Sequence, residues 1–315
     1  MQVREIDPPT APVEVVENLY ALEIAAIREL IPAEPPRGHD EAIAFWRNPP
    51  ADQARRFWIA EDDGAAVAMA GLYVYSPTFV YTDLFVALAH RRRGIGTALL
   101  AAQCAAAREQ GIASFFAHHG SAPGAAFAAH AGAVDDQRDV RSLLRLQEAK
   151  LPEPAVPSGY SLHSWIGRCP EELIESLANA RRAMADAPAP GDATFEEWTV
   201  DLVRRGEDTG LKRGREIRVT VALDPSGAIA SFAEVRLTPG ATSANTDDTG
   251  TVAHARGQGL ARAVKLESLR RLREERPEIE VVNTLNAEHN AAMRHINTQI
   301  GFVPTATLTT TVVTL

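Results

Sequence analysis

The sequence predicts a mixed α/β (α+β) fold in which one domain occurs twice. Two glycine-centred segments, RRRGIG at 91–96 and RGQGLA at 256–261, each follow a strand-like run and open a helical pattern. Their central glycines, Gly94 and Gly259, lie 165 positions apart. Because similarity at a fixed spacing is the mark of an internal repeat, we expect two tandem domains, each a mixed, mostly antiparallel sheet flanked by helices.

The segment between the two repeats predicts a domain boundary. Residues 151–158, LPEPAVPS, contain three prolines and no hydrophobic periodicity, which is typical of a stiff linker. The chain of 315 residues is also long enough for two domains of about 150 residues each. We therefore expect one domain over 1–150 and another over 159–315.

Both halves predict the same order of elements, β–α–α–β–β–β–α–β–α–β, from apolar alternation, helical spacing and turn residues. In the first half the patterns predict helices over 13–30 and 39–47, a helix from the loop to about Gln110, and strands over 55–61, 65–75, 82–88, 114–118 and 140–147. In the second half they predict helices over 171–185 and 194–208, a helix after RGQGLA, and strands over 216–223, 228–237, 246–253, 279–285 and 305–315.

Composition and charge exclude several classes of protein. The net charge of −9 argues against a nucleic-acid binder, which normally carries a basic face. Two cysteines are too few for a disulfide scaffold, and no His, Cys or carboxylate cluster has metal-site spacing. The uncharged run 64–82 alternates like a hairpin, and the first residues, MQVREIDPPT, lack the apolar core of a signal peptide. We therefore expect a cytoplasmic protein with no metal and no membrane or nucleic-acid partner.

The two glycine loops predict anion binding. The first turn of a helix has unpaired N–H groups at the positive end of its dipole, and glycines let an anion approach the backbone. Neither loop has the third glycine of a dinucleotide-binding loop or the Gly-Lys-Ser/Thr of a P-loop. A tight turn without a ligand is the alternative, and the recurrence of the loop at the same place in both halves argues against it.

Both loops resemble the pyrophosphate-binding motif of the GCN5-related N-acetyltransferases, the GNAT family. The segment NAEHNAAMRHINTQIGF at 286–302 is similar to the strand and helix that complete the cofactor cleft of that family. The tandem arrangement is similar to that of the mycothiol synthases and of the tandem acetyltransferases of actinomycete secondary metabolism. The resemblance implies transfer of an acyl group from acetyl-CoA, or another acyl-CoA, to an amine of a small molecule, by direct attack.

The resemblance also implies which residues contact acetyl-CoA. The backbone of each loop would hold the pyrophosphate, and the strand end before it would bind the pantetheine arm and polarise the thioester carbonyl. In the first half these residues are Val86, Arg91, Arg92, Arg93, Gly94, Ile95, Gly96 and Thr97. In the second half they are Thr251, Val252, Ala253, Arg256, Gly257, Gln258, Gly259, Leu260, Ala261, Asn286 and Asn290.

The catalytic residues depart from the family pattern. The family's tyrosine, which protonates the departing thiolate, is replaced by Ala128 in the first half and by Asn297 in the second. Asn297 is expected in the catalytic cleft as a hydrogen-bonding group, although an amide is a poor proton donor. Asp248 and Glu234 are the candidate bases for the attacking amine. Asp186, in the segment MADAPAPGD, is the candidate for holding a cationic acceptor.

The second half keeps more polar residues in its cleft, so the sequence favours it as the catalytic half. The first half would then bind a cofactor or serve as a structural partner. Two other interpretations stay open: a degenerate pair that binds acyl-CoA or acts as a scaffold, and transfer to a hydroxyl or a thiol. His118, His119 and His289 lie where an acceptor would enter, although solvated loop histidines are commoner than bases. Either a monomer or a homodimer is compatible with the sequence.

Overall fold

The architecture was determined from a computed structural model, which describes residues 2–48, 54–76, 79–186, 197–212, 214–238 and 240–315. In the first half the elements are β1 (Gln2–Ile6), α1 (Val13–Leu30), α2 (His39–Arg47), β2 (Ala54–Asp62), β3 (Ala65–Ser76), β4 (Phe79–Val86), α3 (Ile95–Glu109), β5 (Ser114–His119), α4 (Ala122–His130) and β6 (Val134–Arg145). In the second half they are β7 (Ser161–Ile166), α5 (Ile174–Arg181), α6 (Val200–Lys212), β8 (Glu216–Leu223), β9 (Ile229–Leu237), β10 (Ser243–Thr251), α7 (Leu260–Glu275), β11 (Val281–Ala287), α8 (Ala291–Ile300) and β12 (Val303–Thr314).

The mixed α/β fold and the predicted order of elements are confirmed in both halves. The largest local difference lies in the first helical region of the second half. The predicted helix over 171–185 is instead α5 with short 3₁₀ turns at Glu171–Leu173 and Arg182–Asp186 on either side. Pro170 precedes the first of these turns, and a proline is compatible only with the start of a helix.

The chain forms two compact units. The first unit comprises the chain up to Val140 together with Thr305–Leu315, and the second comprises the described residues between Arg141 and Pro304. In the first unit the strand order is β1-β2-β3-β4-β5-β12, antiparallel except between β4 and β5. In the second unit β11-β10-β9-β8-β7 are neighbours, antiparallel except between β10 and β11.

The final strand of the sequence belongs to the first unit. In β12, Thr309–Thr314 pair antiparallel with Ser114–His119 of β5. Val313 of this strand packs into the core cluster of the first unit. Conversely, the chain enters the second unit within β6, where Leu146 N donates to Glu280 O at 2.8 Å. The compact units thus differ at their ends from the sequence halves 1–150 and 159–315.

The sheet of the first unit leaves part of β4 uncovered. Strands β4 and β5 pair at Tyr81 and Phe116, and over the described residues their pairing does not continue toward Val86. Because backbone groups without a strand partner must find another one, the end of β4 is open to a ligand. The second unit repeats this arrangement, since β10 pairs with β11 only through its first residues, Ser243–Asn245 with Val281–Asn283, in the described part of the chain.

The uncharged run 64–82 lies in the predicted hairpin of β3 and β4. Among the described residues, no helix is both long and apolar enough to cross a membrane. In the same ranges, no group of three or more histidines, cysteines and carboxylates is arranged to hold a metal ion. Cys104 and Cys169 both carry free thiols.

Candidate active site

Both glycine loops have the same backbone conformation. Gly94 and Gly259 have φ angles of +80° and +83° and each precedes the first residue of a helix, α3 or α7. Two positions earlier, Arg92 has a φ of +63° and Gly257 a φ of +77°. Arg92 therefore adopts a left-handed conformation that a non-glycine residue rarely takes, which is typical of functional loops.

This conformation makes each loop a cradle for an anion. The first helical hydrogen bonds are donated by Ala98 N to Gly94 O and by Ala263 N to Gly259 O, both at 3.0 Å. The amides before them therefore lack helical acceptors. A Cβ atom at Gly94, Gly257 or Gly259 would find no atom within 4 Å, so the space beside the loops is open. Successive N–H groups in such a turn bind phosphate-like anions, so these loops fit the pyrophosphate of acetyl-CoA.

The first arginine of each loop has a structural contact. Arg91 Nε donates to Val86 O at 2.9 Å, and Arg256 Nε donates to Thr251 O at 3.1 Å. Each arginine therefore ties its loop to the end of the preceding strand. Arg91 also binds Glu29 of α1 through both guanidinium Nη atoms, at 2.9 and 2.5 Å.

The remaining predicted cofactor residues divide into backbone and side-chain positions. Ile95 and Leu260 are each 1% exposed, so their side chains belong to the core and only their amides can reach a ligand. Arg93 pairs with Asp62 at 2.9 Å. The Thr251 and Ser231 hydroxyls lie 2.9 Å apart. The other predicted residues lie in the loops or at the adjoining strand and helix ends: Val252, Ala253, Gln258, Ala261, Gly96 and Thr97.

A cavity of about 840 Å³ lies in the first unit. Its lining includes the loop from Gly94 to Thr97, the strand end at Val86, and residues of α1, α2, α4, β5 and β12. Gly96 has Phe127 of α4 as its closest neighbour, since a Cβ there would lie 3.1 Å from the ring. The cavity therefore extends from the anion-binding loop to the helices α1, α2 and α4.

Three carboxylates of the described residues line this cavity, and one of them, Glu29, is paired with Arg91. Asp83 is exposed where it lines the cavity, and it accepts a hydrogen bond from Tyr73 Oη at 2.8 Å. Desolvation by the surrounding wall raises its pKa, against the effect of that hydrogen bond. Glu23 of α1 accepts from Trp46 Nε1 at 3.2 Å. Burial also raises the pKa of Glu23, and Arg37, whose Nε lies 3.4 Å away, offsets part of that effect. Carboxyl groups with raised pKa values are suited to accept a proton near neutral pH.

A tyrosine and a histidine meet on the same wall. The Tyr81 hydroxyl contacts His118 Nδ1, and His118 Nε2 lies 3.9 Å from Asp139 Oδ2. Asp139 is 5% exposed and accepts from Thr310 Oγ1 of β12 at 3.0 Å. Burial raises the pKa of Tyr81, so its hydroxyl stays protonated at neutral pH. Tyr81 and His118 therefore place a hydroxyl and an imidazole in contact on the wall of the cavity.

In the second half, Arg181 binds both of the predicted bases, Glu234 and Asp248. Arg181, at the end of α5 and 4% exposed, contacts Glu234 and donates to Asp248 Oδ2 at 2.9 Å. Its guanidinium also stacks on Trp198 and Phe232, at 4.7 and 5.3 Å from the ring centroids. The two predicted bases thus share one buried cation.

This network changes the pKa values of both predicted bases. Burial alone would raise the pKa of Glu234, but Arg181 and Arg236 together hold it below its usual value. The pKa of Asp248 is raised because burial and the Glu234 charge outweigh Arg181. Burial raises the pKa of the neighbouring Asp247 to about 6. Glu234 is therefore a poorer base than Asp248 in this arrangement.

The asparagines of the second half are engaged with one another or with the backbone. Asn297 is 3% exposed and donates from Nδ2 to Asn286 Oδ1 at 2.6 Å. Asn290 caps α8 by accepting from Met293 N at 3.2 Å. The backbone of Asp186 ends a 3₁₀ turn, but its side chain and residues 187–192 of the MADAPAPGD segment lie outside the described residues.

Several residues of the site were not predicted from the sequence. Glu23 and Arg181 lie on helices whose only sequence signal is helical spacing. Glu23 is contacted by Arg37 and by Trp46 of α2, and Arg181 contacts strand residues more than 50 positions further along the chain. The repeat spacing does point to Asp83, because it lies 165 positions before the candidate base Asp248. His118 was noted at the end of the predicted strand 114–118, but its contact with Tyr81 of β4 was not predicted.

Comparisons with known proteins agree with this fold and site. Residues 20–132 match the Acetyltransferase (GNAT) family model. Mycothiol acetyltransferase of Salinispora tropica is 28% identical over 94% of this chain and 99% of its own length. Mycothiol acetyltransferase of Mycobacterium ulcerans is 32% identical, over 50% of this chain and 48% of its own length.

Solved structures extend the match to both units. A tandem GNAT protein from the clavulanic acid biosynthesis pathway superposes with a TM-score of 0.81 at 27% identity, covering 99% of this chain and 98% of that one. A GCN5-related N-acetyltransferase from Sphaerobacter thermophilus superposes with a TM-score of 0.71 at 18% identity over 99% of this chain and 94% of that one, which supports the fold alone.

Residues 20–132 thus match the GNAT acetyltransferase family. The chain as a whole is homologous to a mycothiol acetyltransferase over 94% of its length and similar in structure to a tandem GNAT protein over 99%. The resemblance that the two loops indicated is thereby confirmed.

Proposed function

We propose that the protein transfers an acetyl group from acetyl-CoA to an amine of a small molecule, and that the reaction takes place in the first unit. The observation that carries this proposal is the cavity of about 840 Å³. It joins an anion-binding loop, an uncovered strand end and two carboxylates in one enclosed space. These are the parts that a thioester cofactor and an amine acceptor need.

The chain's residues fit this chemistry. When bound, acetyl-CoA would supply an electrophilic thioester carbonyl and a thiolate leaving group. The loop amides from Arg92 to Thr97 would hold phosphate charge at the start of α3. The uncovered backbone near Val86 would orient the acyl carbonyl, and a preorganised N–H at a developing oxyanion contributes several kcal/mol, roughly 3.

The amine must lose a proton before or during its attack. Asp83 is suited to take that proton, because enclosure raises its pKa and its hydrogen bond to Tyr73 fixes its orientation. A carbon–nitrogen bond forms as the carbon–sulfur bond breaks. A protonated amine would first lose one proton to the Asp83 carboxylate, and its second proton would pass from the attacking nitrogen to the departing sulfur, which would leave as a thiol with the electron pair of the carbon–sulfur bond.

We assign a cofactor-binding or structural role to the second half, which the sequence favoured as the catalytic one. The geometry supports this assignment because Arg181 already contacts Asp248 and Glu234. Asn297 likewise already donates a hydrogen bond to Asn286. The loop at 256–261 has the same backbone as the loop at 91–96, so we expect it to bind acetyl-CoA as well.

Paired loop variants test this assignment. Gly94→Glu and Gly259→Glu each place a negative charge where phosphate would lie, whereas Gly94→Ala and Gly259→Ala impose the same backbone strain without charge. We expect Gly94→Glu to abolish turnover and Gly259→Glu to remove one bound CoA per chain while turnover continues. Loss of turnover in Gly259→Glu alone would return catalysis to the second half.

The second candidate function is a degenerate pair that binds acyl-CoA without transferring it. Ala128 and Asn297, at the positions of the family's tyrosine, favour this alternative. Titration of CoA, together with thiol release in the presence of amines, alcohols and thiols, separates the two. Tight CoA binding without release for any acceptor would support the binding protein, and release with alcohols or thiols only would change the acceptor class.

A further inference from the structure

Asp83 of the first cavity lacks the internal cation that the second half supplies to Asp248. Over the described residues, no lysine or arginine lies within ion-pair distance of Asp83. Its polar neighbours are the Tyr73 hydroxyl and the backbone of Gly71. In the second half the matching Asp248 binds Arg181 of α5 at 2.9 Å.

The difference between the halves depends on two strand residues, Gly71 of β3 and Glu234 of β9. Gly71 pairs directly with Asp83, and a Cβ at Gly71 would lie 2.7 Å from Asp83 Oδ1. The glycine therefore leaves room for the carboxylate. In the second half Glu234 lies on β9 opposite the irregular pairing between Thr246 and Thr249, and its side chain helps to enclose Arg181. One half thus fills its acidic site with a guanidinium, while the other leaves its site open to the cavity.

Glu23 is the second acidic group of the open site. It is 8% exposed and lines the cavity, and its Oε1 accepts no hydrogen bond within the described chain. Arg37 is the nearest cation, at 3.4 Å, and its guanidinium also stacks 4.2 Å from the centroid of Phe45. Arg55 lies behind the rings of Phe45 and Tyr73 and does not line the cavity. Arg37 therefore offsets part of the charge of Glu23, whereas Asp83 has no cation partner in the described ranges, so a positively charged ligand beside Asp83 would be stabilised.

Aromatic rings form the wall around these carboxylates. They belong to α2, β3 and β4, and the rings that line the cavity beside the two acids are Phe45, Trp46, Tyr73, Tyr81 and Phe85. The faces of such rings attract cations and their edges bury apolar carbon. The wall therefore favours a ligand with an apolar body as well as a positive charge.

We propose that the acceptor in this cavity is a protonated amine on an apolar or aromatic body, held with its nitrogen at Asp83 and Glu23. The chemical class follows from the two acids and the rings, and its use as an acceptor rests on the proposed function. Binding of the amine is a separate property, which can be measured without acetyl-CoA.

Three probes that share a benzyl group and differ in their polar group test the proposal on the full-length protein: 2-phenylethylamine, 2-phenylethanol and phenylacetate. We expect the amine to bind at least tenfold more tightly than the alcohol, and phenylacetate to bind more weakly than either. Asp83→Asn and Glu23→Gln should each lower the affinity for the amine tenfold or more and leave the affinity for the alcohol unchanged. Asp40→Asn, which removes an exposed carboxylate of α2, is the matched control and should change neither.

The outcomes separate this proposal from the proposed function. Equal affinity for amine and alcohol in the wild type would overturn the proposal, even if a variant fails to fold. Unchanged amine affinity in folded Asp83→Asn and Glu23→Gln proteins would overturn it as well. Amine binding without acetyl transfer would refute the proposed function and leave the cationic site standing, whereas transfer only to amines that are uncharged at neutral pH, such as anilines, would do the reverse. Titrations repeated with CoA present show whether the cofactor must bind first.

Discussion

Replacing Lys265 with methionine should stabilise the protein at neutral pH. Lys265 lies in α7, the helix that begins at the second glycine loop, and only 2% of it is exposed. Its Nζ lies 5.4 Å from the centroid of the Phe302 ring, and no carboxylate of the described ranges forms an ion pair with it. Burial lowers the pKa of this lysine from 10.5 to about 7.

The size of the effect follows from that decrease in pKa. Each pKa unit corresponds to about 1.4 kcal/mol, so the charged lysine costs on the order of 4 kcal/mol of folding free energy at pH 7. Because the pKa in the folded state lies below that of the unfolded chain, the unfolded state binds more protons between pH 7 and 10.5. The stability of the wild type should therefore rise with pH across that window.

Urea denaturation of the wild type and of Lys265→Met at half-unit steps from pH 6 to 10 measures the difference. We expect the variant to be the more stable protein at pH 6 to 7, by a few kcal/mol, and its advantage to shrink by up to about 1.4 kcal/mol per pH unit above pH 7. Lys212→Met, at an exposed lysine, is the control and should show no such slope. An advantage that stays constant from pH 6 to 10 would refute the reasoning, because the ammonium group would then reach water.

Three further substitutions test contacts of the site. Asn297→Ala should cost about 1–3 kcal/mol in thermal or urea unfolding, because Asn286 Oδ1 loses its donor; a neutral effect would mean that water replaces the amide. Thr310→Val should destabilise the first unit by a similar amount, since Asp139 loses a buried hydroxyl, whereas Thr310→Ser should not. Gln103→Leu removes hydrogen bonds of 2.8 Å to the carbonyls of Gly71 and Asp83. It should weaken amine binding more than CoA binding, and equal loss of both would indicate general unfolding instead.

The elements were predictable because their signals are local. The periodicity of 13–30 and 39–47 gave the bounds of α1 and α2 as the structure has them. The glycine loops were equally predictable, since left-handed residues at the start of a helix need glycine at Gly94 and Gly259. Arg92 breaks that rule, and its conformation was not visible in the sequence.

The site was harder to predict because its contacts join distant elements. No local pattern shows that Arg181 would turn toward Glu234, or that Glu23 would face the cavity. The polar residues of the second cleft looked available for catalysis in the sequence, but their side chains are engaged with each other once the chain folds. Counting polar side chains therefore measured how many polar groups are present and could not measure how many are free to meet a ligand.

The position of β12 has a consequence for how the protein is made. A ribosome delivers residues in order, so the first unit must wait for Thr305–Leu315, which is synthesised after the second unit, before β5 gains its antiparallel neighbour β12. Until then the backbone N–H and C=O groups along that edge of β5, the strand that contains His118, are unpaired and could pair with another protein chain. A protein cut at the proline linker would likewise yield two fragments that each lack a strand. The two sequence halves are thus repeats, but each compact unit includes residues from the other half, so neither half is a complete domain when it is produced alone.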